Sequence, residues 1–276
     1  MATDSRRLAV PQSSLDPKSL CPAKVERLLN DEEQRLDGRY SSESRGIYLQ
    51  CGTVSQAKGS CYCELGNTKV VCSVYGPKDV EHYEDFQMEG KIKCEFKYAP
   101  FSCSKHRGHI PDLSEAEISD VILQALTASV RLQCYPKSLI EVFIIVLEND
   151  GSAVSASITA ASLALADAGI EQYDIVTSAS VRVYGNGNFL EDPTSVEEYR
   201  PQDFDSESGG DLNHGLVTVA LLPTLNQVCA VLSNGHLECD VLVETIQMCT
   251  SLAQNLYTAA RKCLLSSVKS VDQNNA

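Results

Sequence analysis

From residue 139 to Gly169 the chain runs an apolar, largely β-branched segment into an Asn149-Asp150-Gly151 turn, and then a helix built mostly of Ala and Ser. The apolar run, 139–147, reads as a strand buried in a sheet. The triplet after it is turn chemistry, and residues 155–168 read as a helix stopped at Gly169. A helix with so few large side chains has little bulk to hold it off a neighbour, so close packing on a sheet is expected. Helices layered on sheets place the chain in the α+β class.

The flanking segments fit that class. Residues 54–65 and 68–75 are β-rich and meet at Gly66-Asn67, a hairpin signal. Residues 91–98 follow as a strand after an acidic connection, 78–90. Residues 114–130 read as a helix, with Ser114 and Glu117 at capping-box spacing and an apolar stripe of Ile118, Val121, Ile122, Ala125 and Leu126. Residues 175–184 read as a strand, turning at 185–188 into Phe189-Leu190. A polar acidic loop, 192–213, has almost nothing to bury. Strands at 216–222 and 227–232 join through Pro223-Thr224-Leu225-Asn226, Asn234-Gly235 reads as a further turn, and 238–265 as the last helix. The expected organisation is a flexible polar arm over 1–35, a single domain over 36–266 and a disordered tail over 267–276.

Composition limits what such a domain binds. With 23 Lys and Arg against 37 Asp and Glu, the net charge is −14. That excludes nucleic-acid binding over the whole surface, and any RNA contact must be a local basic patch. The 12 cysteines show no CxxC pair and no His/Cys cluster at zinc spacing, so no metal or other cofactor is expected. Cys61 and Cys63 lie on one face of a strand and read as reduced thiols used as small apolar residues. With no charged start leading into an apolar segment, and no apolar run long enough to cross a bilayer, the expectation is a soluble intracellular protein with no membrane partner.

Several motifs occur in a telling order: Asp37-Gly38-Arg39, then Gln56-Ala57-Lys58-Gly59-Ser60, then Gly66-Asn67-Thr68-Lys69-Val70. Next come the block Asp150-Gly151-Ser152-Ala153-Val154-Ser155-Ala156-Ser157-Ile158-Thr159 with its Ala-rich continuation to Gly169, and Val219-Ala220-Leu221-Leu222-Pro223. This set resembles the RNase PH family. The resemblance implies an RNase PH-like (ribosomal protein S5 domain 2-like) fold, two βαβα-type halves with helices packed on mixed sheets. Members are phosphorolytic RNA 3′ exonucleases, or non-catalytic relatives, assembled in six-membered rings. Phosphate attacks the last phosphodiester there, which needs cations or backbone donors around it and usually a carboxylate-bound metal.

Active members carry a phosphate loop of the form Gly-Thr-Arg-Thr. Here the same slots hold Ser152, Ala153, Val154 and Ser155, so Val154 replaces the arginine with neither its charge nor its forked donors. Ser152 and Ser155, ahead of an Ala-rich helix, read as caps. Val196-Glu197-Glu198 matches one acidic segment, with Glu198 in place of an aspartate. The second acidic position falls at Leu216, with Asp211 the nearest carboxylate. On a solvated loop, Glu198 reads as a surface charge. No catalytic residue and no metal ligand is therefore assigned, and Val154, Glu198 and Leu216 are degenerate positions.

The implied role is a non-catalytic structural subunit of the RNA exosome core ring, supporting 3′-to-5′ RNA processing and degradation. The implied partners are other RNase PH-like exosome subunits in the six-membered ring, S1/KH-type cap subunits, and RNA passing through the central channel. Residence in nucleus, nucleolus and cytoplasm is expected on the same ground. Lys91, Lys93 and Lys97 on one strand, with Lys105, His106, Arg107 and His109 in the next loop, form a local basic cluster. From it Lys93, Lys97, Lys105 and Arg107 are the candidate RNA contacts, although lysines also guard solvated edge strands. The alternative is an active phosphate-dependent 3′ exoribonuclease of the RNase PH type, which would need an arginine from elsewhere, such as across a subunit interface. A third reading is a free-standing RNA-binding protein, which the net charge disfavours.

Overall fold

In the computed structural model the residues described are 34–79, 88–103, 107, 108, 110, 112–184, 188–198 and 213–275. Residues 1–40 and 41–276 are separate compact units. In the first, Asp37-Gly38-Arg39 makes a tight turn: Arg39 Nε donates to Asp37 Oδ2 at 2.7 Å and the Gly38 N–H to the Arg35 carbonyl at 3.0 Å. The expected arm otherwise lies outside the described residues.

The second unit holds two sheets. Strands β1 (Ile47–Cys51), β2 (Gly59–Leu65), β3 (Thr68–Asp79), β4 (Lys91–Tyr98) and β5 (Ser138–Glu148) form one in the order β1-β2-β3-β5-β4. Its pairs are antiparallel except β4 with β5. Strands β6 (Thr177–Tyr184), β7 (Asn188–Glu191), β8 (His214–Leu222) and β9 (Gln227–His236) form an antiparallel second sheet, β7-β6-β8-β9. Helix α1 (Leu113–Ser129) packs on β4 and β9, and α2 (Ala153–Asp167) on β2, β3 and β6. A four-residue helix, α3 (Ser195–Glu198), follows β7, and α4 (Cys239–Asn275) packs on β6, β8 and β1.

The Ala-rich helix sits where its composition requires. Contacting both sheets, α2 buries residues from Ala153 to Leu165 almost all round, as a uniformly small and apolar helix must. The approach is tightest at Gly59 of β2, where a Cβ would lie 2.3 Å from the Ala168 N and 2.4 Å from the Ala164 O. Gly169 ends the helix as expected, its N–H donating to the Ala166 carbonyl. Cys61 and Cys63 are buried on one face and unpaired, and burial pushes the Cys63 thiol up to about 12. The apolar stripe of α1 buries Ile122, Ala125 and Leu126.

Several expectations change. The capping box at Ser114 and Glu117 does not form, because the N-cap is Asp112 and Ser114 already lies inside α1. Glu115 points to the sheet instead and accepts from the Tyr98 N–H. Strand β5 is buried on one face only: Ile140, Val142, Ile144 and Val146 are buried, whereas Ile145 is 46% exposed. Its opposite face carries apolar residues with no described helix over them. Asn234-Gly235 is not a turn, since both residues lie within β9, opposite Leu216 and Gly215. Helix α4 continues through the expected tail to Asn275, with no Gly or Pro after Cys239 to stop it. Strand β1, with alternating burial, was not expected.

Candidate functional site

The turn between β5 and α2 meets the segment after β7, and Arg45 joins them. Its Nε and Nη2 donate to Asp192 Oδ2 at 2.8 Å and Oδ1 at 2.6 Å, and its backbone N–H to Oδ2 at 3.0 Å. Nη1 reaches the Asp150 carbonyl at 2.8 Å, and Nη2 the carbonyls of Gly151 and Pro193. Both side chains are nearly buried, at 7% and 10% exposure. Burial opposes both charges, yet each outweighs it for the other: the Arg45 pKa is raised and that of Asp192 lowered. Thr68 completes the anchor, donating from Oγ1 to the Gly151 carbonyl at 2.7 Å and accepting from the Asp150 N–H.

The α2 N-terminus is the place where backbone donors and the helix dipole would receive an anion. Here a carboxyl group of the chain lies at its N-cap: Glu198 Oε1 accepts from the Ser152 N–H at 2.6 Å. Ser152 adopts φ +54° and makes no side-chain cap. Its hydroxyl donates to the Pro193 carbonyl and accepts from Ser180 Oγ, so the expected cap is replaced by a link between the segments. Ser155 turns its hydroxyl back on the Ser152 carbonyl.

Glu198 is therefore not the surface charge expected of it. Residues 192–198 are built into the fold: Asp192 and Glu197 are buried, and Glu197 reaches back to the Thr194 N–H at 2.7 Å, capping α3. Residues 199–212 of the expected loop, with Asp211, lie outside the described residues. Burial drives the Glu198 pKa up to about 7, against the Ser152 N–H and Arg45, which favour the charge. Because the unfolded carboxyl titrates near its ordinary 4.5, the folded chain binds the extra proton. The stability contributed by this group is complete below about pH 4.5 and lost as pH rises through about 7. Asp192 acts oppositely, its contribution being present above its ordinary 3.8 and lost as pH falls through its lowered value. Glu198→Gln is accordingly expected to flatten the decline between pH 5 and pH 8, leaving the variant on the order of 2 kcal/mol more stable than the parent at the upper end. Urea unfolding at both pH values measures it; equal slopes for the two proteins would contradict this assignment.

Val154 stands in the first turn of α2, partly buried and packed on the core. Leu216 on β8 faces Arg182 of β6 across the ladder, and Arg182 Nη1 donates to the Glu198 carbonyl at 3.4 Å. Arg182 and Glu198 thus meet, and Leu216 lies across the ladder from Arg182. A cation does not fit this set: Leu216 offers no ligand, and a guanidinium stands beside Glu198. Among the described residues no cluster of three His, Cys, Asp or Glu side chains could hold a metal.

The candidate RNA contacts separate. Lys93 and Lys97 are exposed on β4, Lys97 lying 3.1 Å from Glu95. Arg107 instead stacks over the Tyr98 ring at 4.1 Å and stands 3.5 Å from Asp112 and 3.7 Å from Glu115, its charge compensated within the fold. Lys105 lies outside the described residues. Sequence reasoning missed Arg45 and Asp192, which stand 147 positions apart with no local pattern linking them. Thr194 and Glu197, by contrast, have capping spacing that could have revealed α3.

Comparison with known proteins follows the same lines. Residues 43–171 match the model of the 3′ exoribonuclease family, domain 1 (RNase PH). The chain is 33% identical to the human exosome complex component MTR3, over 98% of this chain and 97% of that one. It is 32% identical to exosome complex component Rrp41 of Pyrococcus furiosus, over 86% and 90%. Among solved structures it is similar to a chain of the Archaeoglobus fulgidus exosome with RNA bound to the active site. There the TM-score is 0.68 and the identity 23%, over 83% of this chain and 93% of that one.

Proposed function

Since the chain belongs to the RNase PH family of 3′ exoribonucleases, we propose that it is a subunit of the RNA exosome core ring that has lost phosphorolytic activity. The observation that carries the second half is the α2 N-terminus. The N–H of the N-cap residue Ser152 is taken by the Glu198 carboxyl, and the slot of the family's arginine holds Val154. Arg45 is bound to Asp192 and three carbonyls, and Arg182 donates to the Glu198 carbonyl. A phosphate here would have to displace the Glu198 carboxyl from the Ser152 N–H, and above about pH 7, where that carboxyl is ionised, it would also meet Coulomb repulsion in a poorly hydrated site. The fold itself is RNase PH-like.

In this reading the chain scaffolds the ring beside other RNase PH-like subunits, beneath S1/KH-type caps, and RNA passes through the central channel. Lys93 and Lys97 are the exposed cations on the candidate RNA face, whereas Arg107 serves the packing of Tyr98. Nuclear, nucleolar and cytoplasmic residence belongs to the same proposal. The test adds inorganic phosphate and 3′-extended RNA to the purified chain, and to rings containing it. No nucleoside diphosphate is expected from the chain, and Lys93→Glu with Lys97→Glu should lower RNA crosslinking to it within the ring. Phosphate-dependent diphosphate release by the chain would establish the active-enzyme alternative.

A further inference from the structure

A sheet edge left open is a row of unpaired N–H and C=O groups, and natural edges are shortened, charged, bulged or covered to keep other chains off. Of the four sheet edges among the described residues, three carry such protection. β4 bears Lys91, Lys93, Glu95 and Lys97 within eight residues. β1 and β7 are five and four residues long, and β1 also receives the Cys263 thiol at the Leu49 carbonyl, 3.3 Å away. β9 differs. It is ten residues long and contains no Lys, Arg, Asp or Glu, in a chain with 60 such residues by the sum of 23 and 37. One bulge near Cys229, between the pairs Ala220–Ala230 and Leu221–Val228, confines the disturbance to the turn end. Residues 230–236 run in unbroken register with 214–220 of β8. Beyond that ladder, no other backbone–backbone hydrogen bond of these residues occurs among the described residues. Val231 is 45% exposed, and residues 233–236 are exposed as well.

From this we infer that β9 is a docking edge, extended in the assembled protein by an uncharged strand of a neighbouring RNase PH-like subunit. The occupant follows from the chemistry. A seven-residue series of alternating backbone donors and acceptors is satisfied over its whole length by another extended backbone. An RNA strand would need cations that β9 lacks. The choice of a neighbouring subunit over a second copy rests on the ring reading above. A ring of different subunits joins unlike surfaces of successive members, so the edge meets a strand other than its own copy. Protein partners of this kind also tolerate the uncharged flank of Val231 and Ser233, which charged guards would exclude.

The test co-expresses the full chain with the other RNase PH-like exosome subunits of its organism and follows amide hydrogen exchange. On assembly, exchange of amides in residues 230–236 should slow at least about tenfold relative to the free chain. Val231→Lys with Ser233→Lys, on exposed positions, should weaken incorporation about tenfold or more, while Val268→Lys, a charge on an exposed site of α4, leaves it unchanged. Failure of the unaltered chain to enter any ring would overturn the ring reading and this inference with it. Entry without protection of residues 230–236 would overturn the inference alone, without recourse to any variant. Protection of the same residues in homodimers of the purified chain would replace the neighbour by a second copy and overturn the choice made here.

Discussion

Replacing Arg45 by Ala is expected to destabilise the domain by about 3–5 kcal/mol, a drop in Tm on the order of 10 °C for a domain of this size. The reason is what the substitution leaves behind. Asp192 would remain as an uncompensated charge in a nearly buried position, and the carbonyls of Asp150, Gly151 and Pro193 would lose a common donor. Arg45→Lys should recover less than half, because one ammonium cannot reproduce a planar fork that serves two carboxylate oxygens and three carbonyls. Asp192→Asn on the Arg45→Ala background should then cost little more, since the partners act as a unit. Chemical unfolding of the four proteins measures all three statements; a single-variant loss below about 1 kcal/mol would mean that Arg45 is not the anchor.

The second large effect is expected at Gly151. Its φ of +87° is one that a side chain disfavours, and a Cβ would lie 2.3 Å from the Pro193 carbonyl oxygen and 2.7 Å from the Ser195 N. Those are backbone atoms, so relief requires moving the segment that carries Asp192 and Glu198. Gly151→Ala should therefore cost about 3 kcal/mol, from overpacking and left-handed strain together. It should also separate Glu198 from the Ser152 N–H, and the Glu198 pKa should return towards the ordinary carboxylate range. Unfolding measurements combined with NMR titration of the Glu198 carboxyl read both consequences. A stable variant with an unchanged titration would show that the two segments are not in obligatory contact.

The two sites illustrate why part of this protein was legible before its structure and part was not. Whatever depends on a short stretch of chain was readable. The small residues of α2 imply close packing, and Gly59 meets the helix backbone as that composition demands. Gly66-Asn67 closes the hairpin, Gly169 stops the helix, and the absence of an arginine at Val154 is a fact about one position. The capping box of α1, Ser114 with Glu117, misled because its spacing was local, whereas the helix starts with Asp112 as its N-cap, two residues before Ser114.

What only the tertiary structure decided was the state of charges whose partners are remote. Glu198 looked like a solvated residue because its neighbours in sequence are polar. Its surroundings are in fact the Ser152 N–H, 46 positions earlier, and the Arg45–Asp192 pair. Desolvation and Coulomb energies depend on distance through space and on dielectric, neither of which is a property of adjacent residues. Arg107 and Lys93 likewise read alike as cations until the fold stacked one on Tyr98 between two carboxylates and left the other exposed. The same holds for β9: its lack of charge is written in the sequence, but only the strand order made it an edge. Chemistry borne by single residues and short spacings is thus determined by the sequence itself. Whether a charge is buried, paired or exposed, and whether a strand is central or open, is decided by packing between segments far apart in the chain.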